Sequence, residues 1–222
     1  MAARRPLRLA HRGDWRHAPE NTLPALLAAV ARPGCDGVEF DVRISADGVP
    51  VLLHDATLKR VQGRPERPGE LSASALEALG VPALADVIAA LPRKAFLDVE
   101  LKSDPGRAAV EVLASGRGSE LRDAVVSSFD RDALERVGGL APAWARWLNS
   151  HDLEPSTIAA AVELRCTAIA AAWRVIDAES AARVRAAGLE LAAFTVRRRS
   201  TFDRLYRLGV IAVCVEAAAL DV

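Results

Sequence analysis

The sequence predicts an α/β chain folded as a small (β/α)8 TIM barrel. Two observations carry this. Short apolar runs alternate along the chain with helical patterns of about ten residues, which is the signature of parallel βαβ units. One run, 49–53, follows Ala46-Asp47-Gly48 directly and pairs as a hairpin with the strand before it. That leaves eight strands separated by helices in 222 residues, the arithmetic of a barrel. A doubly wound open sheet is the alternative, and the lack of a Gly-x-Gly-x-x-Gly after the first strand weighs against it.

In chain order, strands are expected over 7–10, 37–42, 49–53, 95–101, 124–127, 143–147, 167–171, 190–196 and 211–215. Helices are expected over 22–31, 72–79, 84–91, 106–115, 131–137, 155–164, 178–187 and 201–208. Residues 62–69, with Arg64, Pro65, Arg67 and Pro68, read as a loop. The chain 1–222 is therefore expected to be a single domain with little or no insertion. The loop after the first strand opens with His11-Arg12-Gly13, where glycine lets the backbone turn. It ends in Pro19-Glu20-Asn21-Thr22, with Asn21 or Thr22 as N-cap of the first helix.

Composition excludes several classes. Hydrophobic residues make up 51%, ample for a buried core. Twenty-nine basic residues balance 29 acidic ones, so no global field favours nucleic acid or an anionic membrane surface. No stretch approaches the roughly 18 uninterrupted apolar residues of a transmembrane helix, and residues 1–9 carry no apolar run of signal-peptide length. Cys35, Cys166 and Cys214 are odd in number, far apart and without a Cys-x-x-Cys pair. They read as small buried hydrophobes in a reducing compartment. The expectation is a soluble cytoplasmic protein with a small-molecule substrate and no stable membrane insertion. A homo-oligomer is compatible with the sequence.

In a barrel, residues at the C-terminal strand ends share one face. The first strand ends in His11 and Arg12. The second carries Glu39 and Asp41 at i and i+2, a spacing that puts both carboxylates on one side of a strand, about 7 Å apart. The hairpin return ends in His54-Asp55, and the next strand carries Glu100 and Lys102, again at i and i+2. Glu39, Asp41, Glu100 and Lys102 are embedded in apolar runs, where charges are costly unless paired or bound to an ion. Three carboxylates suit a hard divalent cation, Mg²⁺ or Ca²⁺ first and Mn²⁺ second. Zinc is less suited, since no thiolate is at hand and the histidines have other work. Three carboxylates, one divalent ion, Arg12 and Lys102 leave a charge of +1, fit for a singly charged phosphodiester. Two flanking histidines can serve as general acid and base.

Together, His11-Arg-Gly, Pro19-Glu-Asn-Thr22, Glu39-Phe-Asp-Val42, Asp47-Gly48, His54-Asp55-x-Thr57-Leu58 and Glu100-Leu-Lys102 resemble the glycerophosphodiester phosphodiesterases. The resemblance is densest through residue 102, and Ser127-Ser128-Phe129, Gly188 and Phe194-Thr195-Val196 extend it. It implies a TIM barrel that hydrolyses glycerophosphodiesters to glycerol 3-phosphate and an alcohol with a divalent metal. By resemblance, Glu39, Asp41 and Glu100 are the metal ligands and His11 and His54 the acid–base pair. Arg12 and Lys102 hold the phosphate, and Glu20 and Asn21 brace the site. Three departures stand out: Phe194 takes a place usually held by Trp, Val215-Glu216-Ala217-Ala218 replaces a Thr-Asp-x-Pro pattern, and the segment after His54 is short.

Trp15, in the first loop, is a candidate apolar wall for the glycerol. Arg197, first of three arginines after the seventh barrel strand, is a candidate to extend the anionic pocket toward the leaving group, since barrels often bind phosphate there. His17 reads as an exposed loop residue, His151 is weighed for the top face and set aside, and Trp144, Trp147 and Trp173 read as core or rim aromatics. The alternatives are phospholipid cleavage of the lysophospholipase D or sphingomyelinase D type, and a non-catalytic binding barrel. No basic amphipathic stretch favours the first, and none of the site's histidines or carboxylates is missing, as the second would require.

Overall fold

Alternate residues of each strand point to opposite sides, and the chain uses both. In the computed structural model, which describes residues 5–16, 18–103 and 106–221, the order is β1 (Leu7–His11), α1 (Leu23–Val30), β2 (Gly37–Ile44), β3 (Pro50–Leu52), α2 (Lys59–Gln62), α3 (Ala73–Glu77), α4 (Leu84–Ala90), β4 (Phe96–Leu101), α5 (Gly106–Arg117), β5 (Ala124–Ser128), α6 (Arg131–Leu140), β6 (Arg146–Ser150), α7 (Pro155–Glu163), β7 (Ala168–Ala172), α8 (Ala178–Ala186), β8 (Glu190–Val196), α9 (Arg199–Arg207) and β9 (Ala212–Val215). Strands β1, β2 and β4 to β9 pair in parallel, and β1 pairs with both β2 and β9, so the sheet closes on itself. Strand β3 lies antiparallel on the end of β2 as a hairpin.

Two apolar layers result. Between strands and helices lie Val38, Phe40, Val99 and Val126 against Leu26, Leu113, Leu134, Val184 and Leu205. Inside the barrel, Leu9, Val125, Trp147, Ala168, Ala192 and Ala212 form a separate cluster with Phe96. Phe96 and Trp147 stack at 6.0 Å between ring centroids, filling the space that the alanines of β7 to β9 leave. Gly37 opens β2 because a Cβ there would stand 1.9 Å from the Phe96 carbonyl oxygen. Above this plug the inward positions turn polar, which places the chemistry at the C-terminal ends of the strands.

Several boundaries differ from expectation. The strand expected over 143–147 starts later, sharing only Arg146 and Trp147 with that run: the Trp144 N–H donates to the Ala141 carbonyl in a turn around Pro142, and the Trp144 indole N–H donates to the Ser119 carbonyl at 2.7 Å. Strand β6 therefore starts at Arg146 and runs through Asn149 and Ser150. Residues 62–69 are not all loop, since α2 takes in Gln62 and a 3₁₀ turn occupies Pro68–Glu70. Helix α9 begins at Arg199, two residues early. Val51, Leu53, Leu58, Leu76 and Val81 form a third small apolar cluster that anchors the segment after β3, and with it His54. His17 lies outside the described residues.

Candidate active site

Strands β2 and β4 lie side by side with Asp41 opposite Glu100 and Glu39 opposite Asp98. The expected period-2 spacing thus becomes a cluster: oxygen atoms of Glu39, Asp41 and Glu100 all lie within 4.8 Å of one another, and all three residues are buried. Asp41 is the best compensated. Lys102 Nζ lies 2.9 Å from its Oδ1, Arg12 Nε lies 3.1 Å from its Oδ2, and Asn21 Nδ2 donates to Oδ2 at 2.8 Å. Burial opposes ionisation of Asp41, but the charges of Lys102 and Arg12 outweigh it and hold its pKa below the usual range. Glu100 pairs with Lys102, yet burial and the neighbouring Asp41 push it up to about 7. Burial, Asp41 and Glu100 also drive Glu39 well above the usual carboxylate range. One Glu39 oxygen accepts from the Arg12 backbone N–H at 3.2 Å, and the other, Oε1, is buried with no hydrogen-bond partner. An orphaned carboxylate oxygen beside two more carboxylates is a donor set that fits a hard cation.

The loop after β1 delivers Arg12 and Asn21. Arg12 and Asn21 both take left-handed backbone conformations, with φ of 59° and 56°. The Asn21 N–H donates to the Arg12 carbonyl at 3.0 Å, which closes the loop over them. Such strain in non-glycine residues needs surrounding structure to hold it. Asn21 is not the helix cap: its amide is committed to Asp41, donating to the carboxylate and accepting from the Asp41 backbone N–H at 3.2 Å. Thr22 stands at the N-cap of α1, but its hydroxyl donates to the Pro19 carbonyl instead of capping. Glu20 accepts from Arg12 at 2.8 Å and from two nitrogens of Arg60.

Both histidines line one pocket of about 240 Å³, together with Arg12, Glu39, Glu100 and Lys102. Each has its Nδ1 against a carboxylate: His11 Nδ1 lies 2.5 Å from Glu216 Oε1, and His54 Nδ1 lies 2.6 Å from Asp55 Oδ1. That leaves Nε2 of each ring without a hydrogen bond, and that of His11 faces Glu39 Oε2 at 3.8 Å. Each carboxylate is in turn held by an arginine, with Arg197 Nε on Glu216 at 2.7 Å and Arg60 Nε on Asp55 at 2.6 Å. Burial, more than its charged neighbours, lowers the pKa of His54, which favours the neutral imidazole.

Sequence reasoning missed three residues here, Glu216, Arg60 and Asp98, and set His151 aside. Glu216 and Arg60 orient groups it had named. Asp98 lies under the cluster, hydrogen-bonded to Ser127 Oγ at 2.6 Å and pushed up to about 6 by burial. Its position at i−2 from Glu100 was the available signal. His151 lines the pocket opposite the carboxylates, stacked on Phe129 at 5.0 Å and edge-on to Phe194 at 5.9 Å. Of the named residues, Trp15 is 42% exposed and outside the pocket lining among the described residues. Arg197 stands behind His11 and beside a second cavity. Trp147 belongs to the barrel interior and Trp144 to the outer layer.

The sequence matches the profile of the Glycerophosphoryl diester phosphodiesterase family over residues 11–220. The chain belongs to this family. Among relatives, the Bacillus subtilis glycerophosphodiester phosphodiesterase is 25% identical over 243 residues, covering 94% of this chain and 83% of that protein. The bovine glycerophosphodiester phosphodiesterase 1 is 54% identical over 52 residues, a match that spans 23% of this chain and only 15% of that protein. Among solved structures, a phosphodiesterase from Oleispira antarctica in complex with the product sn-glycerol-3-phosphate superposes with a TM-score of 0.84 at 29% identity, covering 95% of this chain and 92% of that one. A Galdieria sulphuraria structure superposes at 0.86 with 19% identity, a likeness of fold. In this glycerophosphodiester phosphodiesterase family member, no helix among the described residues is long and apolar enough to cross a membrane.

Proposed function

We propose that the chain is a metal-dependent phosphodiesterase that hydrolyses glycerophosphodiesters to glycerol 3-phosphate and an alcohol. The observation that carries this is the convergence of two histidines, each anchored at Nδ1, in one pocket that is also lined by Glu39 and Glu100 of the buried three-carboxylate cluster. Family membership and the likeness to an enzyme solved with glycerol 3-phosphate support it.

Glu39, Asp41 and Glu100 would hold the ion, Mg²⁺ or Ca²⁺ by the all-oxygen donor set. When bound, it supplies Lewis-acid polarisation of the phosphoryl oxygens. Arg12 and Lys102 line the same wall and place fixed positive charge where negative charge develops in the transition state. Glu20 and Asn21 keep Arg12 and Asp41 in place through the hydrogen bonds described above. One histidine takes at Nε2 the proton of the nucleophile, either water or the substrate's own glycerol hydroxyl, and the other gives a proton to the leaving alkoxide. Their carboxylate partners fix the tautomer and steady the charged imidazole. The three unbonded cysteines support a reducing, cytoplasmic setting.

The test is release of glycerol 3-phosphate from glycerophosphocholine, with chelator and with added Mg²⁺, Mn²⁺ or Ca²⁺. Turnover is expected with a divalent ion and not without one. His11→Ala and His54→Ala are each expected to lower kcat by about 10²–10⁴-fold with the circular-dichroism spectrum unchanged. Near-normal kcat in either variant overturns the histidine pair.

A further inference from the structure

We propose that a second, acid-free cationic well beside the active-site pocket binds a negative charge carried by the alcohol half of the substrate. The preferred diesters are then those whose alcohol bears its own phosphate. This rests on the glycerophosphodiester reading above.

The well has a volume of about 510 Å³ and lies between the 3₁₀ turn Trp173–Val175, which follows β7, and the β8–α9 junction. Trp173, Arg174, Thr195, Arg197, Arg198 and Thr201 line it. A volume of this size accommodates a sugar- or polyol-sized group. Among the described residues, no carboxylate lines the well, and neither Arg174 nor Arg198 has a carboxylate partner. Arg174 instead lies over the Trp173 ring, 4.5 Å from its centroid. Arg174 and Arg198 thus bring two unpaired positive charges to one well, beside Arg197, whose Nε is paired with Glu216. Arg198 and Arg199, at the N-cap and first position of α9, also oppose the helix dipole, with no acidic residue in the first turn. Arg174, Arg197 and Arg198 are all exposed, so the well is open to solvent and an anion can reach their guanidinium groups.

Two contacts tie the well to the chemistry. Thr195 lines both this well and the active-site pocket, so the two cavities share a wall. Arg197 donates to Glu216, which holds His11 Nδ1, so a charge seated against Arg197 lies on the His11 side of the site. The opening on the His54 side differs. Asp55 lines it beside Arg43, Lys59, Arg60 and Lys102, with Arg43 committed to the His54 carbonyl, Arg60 to Asp55 and Glu20, and Lys102 to Asp41 and Glu100. The acid-free well is therefore the one suited to an added negative charge.

A matched pair tests this: glycerophosphoinositol and glycerophosphoinositol 4-phosphate, which differ by one phosphate on the alcohol. The ratio of their kcat/KM values at low ionic strength is expected to favour the phosphorylated diester by about tenfold, as hydrogen bonds to charged groups allow, and to shrink with added salt. In the Arg174→Ala/Arg198→Ala double variant the ratio is expected to fall toward one, and in Arg174→Lys/Arg198→Lys to be largely kept. Calorimetric Kd values of the two diesters, measured in chelator, give the same comparison without turnover. If neither diester is hydrolysed but the Kd preference appears and is lost in the double alanine variant, the hydrolysis reading fails and the anion well stands. A ratio near one in the native protein, or one unchanged by the double alanine variant, overturns the proposal. So does inorganic phosphate binding that the double variant loses while the two diesters bind equally, because the well then serves a free anion.

Discussion

Glu216 Oε1 lies 2.5 Å from His11 Nδ1, joining the last strand of the barrel to the first across 205 positions of sequence. Glu216 is 6% exposed, and its other oxygen accepts from Arg197. The carboxylate fixes which His11 nitrogen carries the proton and stabilises the charged ring. Glu216→Gln keeps the shape and loses the charge. Its kcat is expected to fall about 10–100-fold with a much smaller change in KM, read by steady-state release of glycerol 3-phosphate. Glu216→Asp is expected to recover part of the loss.

The carboxylate cluster predicts a thermal signature independent of catalysis. A cation that binds only the folded chain stabilises it by mass action. At a hundredfold excess over Kd, the melting temperature is expected to rise by about 5–10 °C for a chain of this size. Glu39 carries a buried oxygen with no partner and faces two other carboxylates. Glu39→Gln removes that repulsion. The variant is expected to melt higher than the native protein in chelator and to lose the rise on adding Mg²⁺ or Ca²⁺. Scanning calorimetry of both proteins in both conditions checks the pair of signs.

Acid stability follows from the two carboxylates that hold the histidines. The Arg60 hydrogen bond, then that of His54, holds Asp55 down to about 2 against an ordinary value of 3.8. Burial opposes ionisation of Glu216, but the hydrogen bond and charge of His11, with those of Arg197, hold it at about 2 against 4.5. Folded values below unfolded ones mean that this stabilisation is complete above about pH 4.5 and is lost as the pH falls toward 2. Urea midpoints are expected to drop across that window. Asp55→Asn is expected to lower the midpoint near neutral pH and to have a much smaller effect at about pH 2, where the native carboxylate is half protonated in the folded state and protonated in the unfolded one.

What the chain order reveals and what it hides follow from range. Glu39, Asp41, Glu100 and Lys102 were legible because a period of two in an apolar run fixes which side of a strand a residue takes, and closure of the barrel brings those sides together. The role of Glu216 was not, since nothing local marks a carboxylate whose partner is at the other end of the chain. An acidic residue closing the last strand was the one available cue. Arg60 was hidden in a segment read only as lying outside the regular elements, before the small cluster of Val51, Leu58 and Leu76 showed how it is held. The shift of β6 came from Pro142, whose turn takes Trp144 out of the strand and moves Asn149 onto it, and places His151 at the pocket wall.

Gly13 is where backbone conformation and packing both demand glycine. Its φ is +87°, and a Cβ would stand 2.6 Å from the Ala25 carbonyl carbon and 2.8 Å from the Leu26 nitrogen, backbone atoms of α1 that have no room to yield. Gly63 has φ +72° with nothing within 4 Å of its Cβ position, so it isolates the conformational part. Gly63→Ala is expected to cost about 1 kcal/mol, the left-handed penalty of an ordinary residue. Gly13→Ala adds a clash to that penalty and is expected to cost about 3 kcal/mol or more. It must also push the loop away from α1, and with it Arg12, whose nitrogens face Asp41 and Glu20. Urea unfolding separates the two stabilities. Kinetics at a temperature where both variants are folded is expected to show lost activity for Gly13→Ala and native activity for Gly63→Ala.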